Sequence, residues 1–261
     1  MKMTTVLRHK LRKAIQEIAY CLGYKIIPIS ESNTQFPVHN SCQIPNLSKI
    51  FLEFFGTIER GNFVEVGAYD GVSFSNTWGL SKIHWNGIYI EPVPSFAKQC
   101  RKNHAFNQNI KVIEQAVSDS SNRTQKIYVA GALTSTNFER FASYSKFRWS
   151  RKHTSNDVIE AQTSTLDEIL ESEGMHHGFE LLVVDVEGSE SEVFDGFDIQ
   201  KWKPQMIIVE LEDFHPDILM PDLKLLLLRQ KIEDCGYRIV YKDHINSIFT
   251  SRELYENMLL R

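Results

Sequence analysis

Residues 62–71 read Asn-Phe-Val-Glu-Val-Gly-Ala-Tyr-Asp-Gly. The first five have the character of a short strand buried on both faces. The glycines that follow let the backbone bend and come close to whatever lies beyond the strand. A helix is expected next, over 75–82. Strand, glycine turn and helix in that order begin a doubly wound α/β sheet, in which ligands bind beyond the carboxyl ends of the strands.

The same alternation continues outward. A second strand is expected over 87–91, followed by Pro92 and a helix near 95–107. A third is expected over 110–117, with a side strand at 125–129. The run 181–185 is the most apolar and precedes a helix over 189–194. A fifth strand, 206–210, is followed by a helix over 221–235 that Gly236 caps, and then by strands 237–241 and 247–250. Short apolar strands separated by helices must be covered on both faces, which implies parallel pairing with right-handed crossovers. The last two strands, joined by a few residues, should pair antiparallel.

The expected fold is α/β: a doubly wound, mostly parallel seven-stranded Rossmann-like sheet with an antiparallel last strand, plus an N-terminal helix. The main domain is expected over 47–261, opening on a helix near 47–58. Residues 1–46 are expected to form a basic amphipathic helix and a linker, because 27–45 is rich in Ser, Asn and Pro and has neither period. In the helix, Leu7, Leu11, Ile15, Ile18 and Leu22 share one face and the other face is basic.

At 261 residues, 42% apolar and 24% charged, the chain has the composition of a soluble globular protein, and a net charge of -4 excludes a globally basic nucleic-acid binder. Cys21, Cys42, Cys100 and Cys235 form no zinc-type cluster and are expected as free thiols. Arg8, Lys10, Arg12 and Lys13 interrupt what would be the apolar core of a signal peptide. No apolar run approaches the roughly 18 to 20 residues that span a bilayer. A cytoplasmic location is expected, with the N-terminal helix either docked on the domain or attached peripherally to the anionic cytoplasmic face of the membrane.

The strand ends select Glu65 to Gly71, Glu91 to Val93, Ala116 to Asp119, Asp185 to Gly188 and Glu210 to His215 as the site. A dinucleotide would set its pyrophosphate against the first turn and be repelled by Glu65. S-adenosylmethionine carries a sulfonium and an ammonium that a carboxylate attracts. The first turn also lacks the middle glycine of GxGxxG, so a nicotinamide-dependent oxidoreductase ranks lower. Glu91 follows at about the 20-residue spacing at which an acid meets a ribose diol. Asp185 and Glu187 bring two carboxylates to where a methyl group would lie, able to orient a hydroxyl or take its proton. The alternative is that Asp185 aids the cofactor or caps a helix while Glu187 and Glu190 complement its dipole. His215 is the histidine expected near a strand end, as a base or as a surface residue.

Taken together, FVEVGAYDG with the following SFSNT, GIYIEPVPSF, VIEQAVSD, TSTLDEIL, LLVVDVEGSESEVFDGF and, more weakly, PQMIIVELE resemble the FkbM family of methyltransferases. The resemblance implies a class I methyltransferase sheet, S-adenosylmethionine as cofactor and O-methylation of a hydroxyl on a sugar, glycan or secondary metabolite. It assigns Glu65, Gly67, Asp70 and Gly71 to the methionine side, with Asn76 of the following stretch among the cofactor residues. Glu91 goes to the ribose, and Ala116 and Val117 flank adenine. Asp185 and Glu187 match the acidic fourth-strand motif and, with His215, are the catalytic candidates. The chain has Glu65 where many members have Asp, and its His215 is offset from the usual histidine. An inactive S-adenosylmethionine-binding protein would carry the same cofactor motifs.

The segment 131–153 sets Arg140, Lys146, Arg148, Arg151 and Lys152 among Phe138, Phe141, Tyr144, Phe147 and Trp149. It is expected as a lid suited to a phosphorylated or sugar-bearing acceptor, small-molecule or lipid-linked, rather than to nucleic acid. Asp185, Glu187, Glu210, Glu212 and Asp213 could hold a divalent ion, but oxygen-ligand sites leave little spacing signature and no metal is expected.

Overall fold

The computed structural model describes residues 36–56, 58–144, 157–211 and 223–260. The N-terminal helix, His215 and the cationic run 145–153 lie outside them.

Helix α1 (Leu47–Phe55) leads into β1 (Asn62–Val66), α2 (Trp78–Lys82), β2 (Asn86–Ile90), α3 (Pro94–Asn103) and β3 (Ile110–Ile113). A side structure follows: β4 (Ala116–Val117), β5 (Thr124–Tyr128), α4 (Phe138–Tyr144) and β6 (Val158–Ser164). The chain then returns through α5 (Leu166–Ser172), β7 (Leu181–Val184), α6 (Glu190–Asp195), α7 (Ile199–Trp202), β8 (Met206–Glu210), α8 (Leu223–Asp234), β9 (Tyr237–Lys242), β10 (Asn246–Ser251) and α9 (Arg252–Leu259).

Seven strands form one sheet in the order β3-β2-β1-β7-β8-β10-β9, and the side strands form a second in the order β4-β6-β5. Pairing is parallel from β3 to β8, and β10 runs antiparallel to both neighbours. This is the expected doubly wound sheet with its last strand reversed. The third strand differs from expectation. Its run of 110–117 breaks at Glu114 and Gln115, so that Ile110–Ile113 pairs with β2 while Ala116 and Val117 pair with β6.

Val64 and Val66 of β1 pack in one core with Leu166 and Ile169 of α5, Phe194 of α6, Trp202 of α7 and Ile232 of α8. Strand alternation turns Phe63 and Glu65 to the opposite face. There Phe63 meets Tyr89 edge-on, with ring centroids 5.3 Å apart. The stretch 36–46, expected as linker, contributes to the core as well. Phe36 is fully buried, with its ring 6.1 Å from Phe51 and 6.0 Å from Trp85. The Ser and Asn content that suggests a linker conceals this one aromatic anchor.

Phe36→Ala should therefore behave as a core truncation, lowering unfolding free energy by about 3 to 5 kcal/mol. Urea denaturation of the two proteins measures it, and a loss well under 1 kcal/mol would place Phe36 outside the core.

Candidate active site

The strand order reverses between β1 and β7, and the crevice opens beyond their carboxyl ends. Gly67 and Asp185 meet at its floor. A Cβ on Gly67 would stand 1.7 Å from the Asp185 carbonyl oxygen, and φ there is +85°. No side chain fits this contact. The Asp185 N–H donates to Val66 O at 3.1 Å and the Gly67 N–H to Ile90 O at 3.0 Å, so three strand ends are locked together.

Of the residues expected to hold a cofactor, Gly67, Glu91, Ala116, Val117 and Asp185 line this cleft, as does the catalytic candidate Glu187. Glu91 is buried, and its carboxylate accepts the Tyr69 N–H at 2.8 Å and the Val93 N–H at 2.9 Å. It thereby holds Tyr69 in a left-handed conformation, φ 50°. Each carboxylate oxygen retains a lone pair for a ribose hydroxyl. Burial pushes its pKa up to about 7.

Glu65, Asp70, Gly71 and Asn76 are not among the cleft-lining residues. Strand alternation sends Glu65 into the layer beneath the first loop, where its carboxylate accepts hydrogen bonds from the Ser75 and Thr77 hydroxyls and the Asn76 N–H. Burial raises its pKa from 4.5 to about 7. It serves as the loop's anchor, and the carboxylates that line the cleft on this side are Asp185 and Glu187. Asp70 accepts the N–H groups of Val72 and Ser73 at 2.9 and 2.7 Å, closing its own turn. Gly71 O faces His104 Nε2 at 2.7 Å. Asn76 is buried against Cys42.

The second sheet explains how Ala116 and Val117 reach the cleft. Pairing with β6 carries them out of the main sheet, and Ile127 of β5 joins them along the cleft wall. These three apolar side chains line one part of the cleft. The connection from β5 to α4 folds back over the cleft, with Thr134, Ser135 and Thr136 in its lining. It is latched to the loop after β7: Ser135 Oγ donates to Glu187 O at 2.7 Å, and the Thr136 and Ser189 hydroxyls lie 2.6 Å apart. The described part of the expected lid is thus a roof.

Beside the cleft, carboxylate oxygens of Asp185, Glu187 and Glu210 lie within 4.8 Å of one another, close enough to hold a divalent ion. Arg140 of α4 stands beside them, with Nη2 3.9 Å from Glu187 Oε2 and 3.8 Å from Glu210 Oε1. Glu187 has a left-handed backbone, φ 56°. Beneath it, Glu190 Oε1 accepts the N–H groups of Val186 and Gly188 at 3.2 and 3.1 Å. Burial, with the Asp185 charge adding to it, raises the Glu190 pKa. Sequence reasoning gave no role to Tyr69, although it lies within FVEVGAYDG, nor to Ile127 and Ser135, which leave no motif. It noted Arg140 only as one of several cations for an acceptor, whereas its charge faces the protein's own acids.

A pH prediction follows from Glu65. A carboxyl raised in the folded state stabilises fully below its unfolded value, and that contribution is lost as pH climbs through the folded value. Gln keeps an acceptor for the Asn76 N–H, while the Ser75 and Thr77 hydroxyls can rotate to accept its amide. Between about pH 5 and about pH 8 wild type should lose stability relative to Glu65→Gln in paired urea melts. A difference independent of pH would show that Glu65 titrates normally.

The sequence matches the Methyltransferase FkbM domain over residues 65–239. No curated protein matches the chain. Among solved structures it is similar to the O-methyltransferase from Bacillus cereus in complex with S-adenosylhomocysteine, at 13% identity and a TM-score of 0.41, covering 90% of this chain and 96% of that one. It is also similar to fibrillarin from Aeropyrum pernix in complex with S-adenosylmethionine, at 10% identity and a TM-score of 0.38, covering 73% and 66%. Likeness at that level carries no argument, and the sequence match does. It takes in the first turn, Glu91 and the acidic loop after β7, and spans well over half of the chain, which belongs to the FkbM family of S-adenosylmethionine-dependent methyltransferases.

Proposed function

We propose that this chain methylates a hydroxyl oxygen on a sugar, glycan or other hydroxyl-rich metabolite, with S-adenosylmethionine as methyl donor. The observation that supports it is the meeting of Glu210 with Asp185 and Glu187, which line a cleft that Glu91 and the apolar side chains of Ala116, Val117 and Ile127 also line. The donor set fits the cofactor: a buried acid for a ribose diol, Ala116, Val117 and Ile127 for adenine, and carboxylates toward a cation. When bound, S-adenosylmethionine supplies an electrophilic methyl group.

The chain's own part is positioning and proton removal. Carboxylates accept hydrogen bonds and cannot donate them, so they orient a group that has a proton to give. Glu187 holds the acceptor hydroxyl and takes its proton as the oxygen gains the methyl group, with the sulfur keeping the electron pair of the broken bond. Asp185 faces the developing charge change. Enclosure by the roof excludes water, and alignment of the reacting atoms supplies most of the acceleration. An acidic cluster disfavours an anion at the reacting position, so the reacting part of the acceptor is uncharged.

Incubation with methyl-labelled S-adenosylmethionine and a panel of sugars, polyols, amines and thiols tests this. Labelled methyl ethers are expected, and transfer confined to amines or thiols would overturn the reading. Glu91→Ala should weaken S-adenosylhomocysteine binding by about 1 to 3 kcal/mol in calorimetric titration, since the ribose loses a charged acceptor. Unchanged affinity would remove Glu91 from the cofactor site.

A further inference from the structure

The strand ends beside the cleft gather three acids into a space in which like charges repel. A cation is built in beside them. Arg140 Nη2 stands almost equally far from Glu187 and Glu210, at 3.9 and 3.8 Å. Both distances exceed the roughly 2.7 to 2.9 Å of a direct charge-assisted hydrogen bond and lie within ion-pair range, so the guanidinium neighbours both acids.

The backbone is arranged to bring it there. Asn137 Oδ1 accepts the Arg140 N–H at 3.1 Å, fixing the start of α4. The arginine stem then runs along Gly188, where an added Cβ would come within 3.2 Å of Arg140 Cγ. The left-handed Glu187 presents its side chain to the same point. The roof latch from Ser135 to Glu187 O ties the two segments together. Arg140 and the acids it faces are therefore held by separate elements whose relative position is set by the fold.

We infer that Arg140 is a positioning residue that acts as the resident cation of the acceptor end. It screens Glu187 from Glu210 and sets their spacing for an incoming hydroxyl, a task a divalent ion could otherwise perform. The inference rests on the methyl-transfer reading above, and it makes the acid cluster a poor metal site as long as the arginine is present.

Titration with manganese(II), read by electron paramagnetic resonance of the free ion, tests it on the full chain. Wild type and Arg140→Lys should bind the ion weakly. Arg140→Met should bind one ion per chain at least about tenfold more tightly, because removing a positive charge raises the net ligand charge. The added Glu187→Gln substitution should abolish the gain. Arg140→Gln gives the same reading if the Met variant fails to fold. S-adenosylhomocysteine titrated in parallel keeps the two ideas separate. Loss of its binding in wild type counts against the methyl-transfer reading. Intact binding with no manganese gain in the neutral variants overturns the role of Arg140. Tight manganese binding equal in wild type and Arg140→Met overturns it too, by making the acids a metal site that the arginine merely adjoins.

Discussion

The site depends on the contact between Gly67 and the Asp185 backbone. Parallel strands whose connections leave in opposite directions open a crevice at their ends, but its depth and shape depend on how closely the two chains approach there. With 1.7 Å between a hypothetical Cβ and the Asp185 carbonyl, only hydrogen fits. That contact brings the first loop, which Glu91 then clamps through Tyr69, onto the start of the acidic loop after β7. The roof is latched to the same acidic loop.

Acidic residues divide into two kinds around this contact. Glu65, Glu91 and Glu190 are buried and accept backbone N–H groups, holding the loops that surround the cleft. Asp185 and Glu187 face the cleft. The first kind fixes geometry and the second is exposed to the cleft, although both appear in the sequence as carboxylates near strand ends. Glu91 belongs to both kinds, since it clamps Tyr69 and lines the cleft. Among the described residues no helix is long and apolar enough to cross a membrane.

Much of the fold was legible because its strands are continuous apolar runs. β1 and β8 fall on the residues their composition predicts, Asn62–Val66 and Met206–Glu210. β6 was missed because only Ile159, Ala161 and Thr163 carry its period of two. α5 was missed although Thr165 and Glu168 form a capping pattern, with Thr165 accepting the Glu168 N–H. Glu91, singled out by spacing, and Asp185 and Glu187, singled out by the acidic motif, line the cleft. Glu65 was misplaced because charge complementarity, applied without strand parity, says nothing about which way a side chain points. Arg140 could not be assigned because its partners, Glu187 in the loop after β7 and Glu210 at the end of β8, are brought to it only by the tertiary fold.

A crystal structure of the chain with S-adenosylhomocysteine tests the central claim most directly. The account predicts ribose hydroxyls on Glu91, adenine against Ala116, Val117 and Ile127, and the thioether sulfur turned toward Asp185 and Glu187. A ligand with its ribose away from Glu91, or seated in the cavity beside Tyr237 and Arg252 at the other end of the strands, would contradict it.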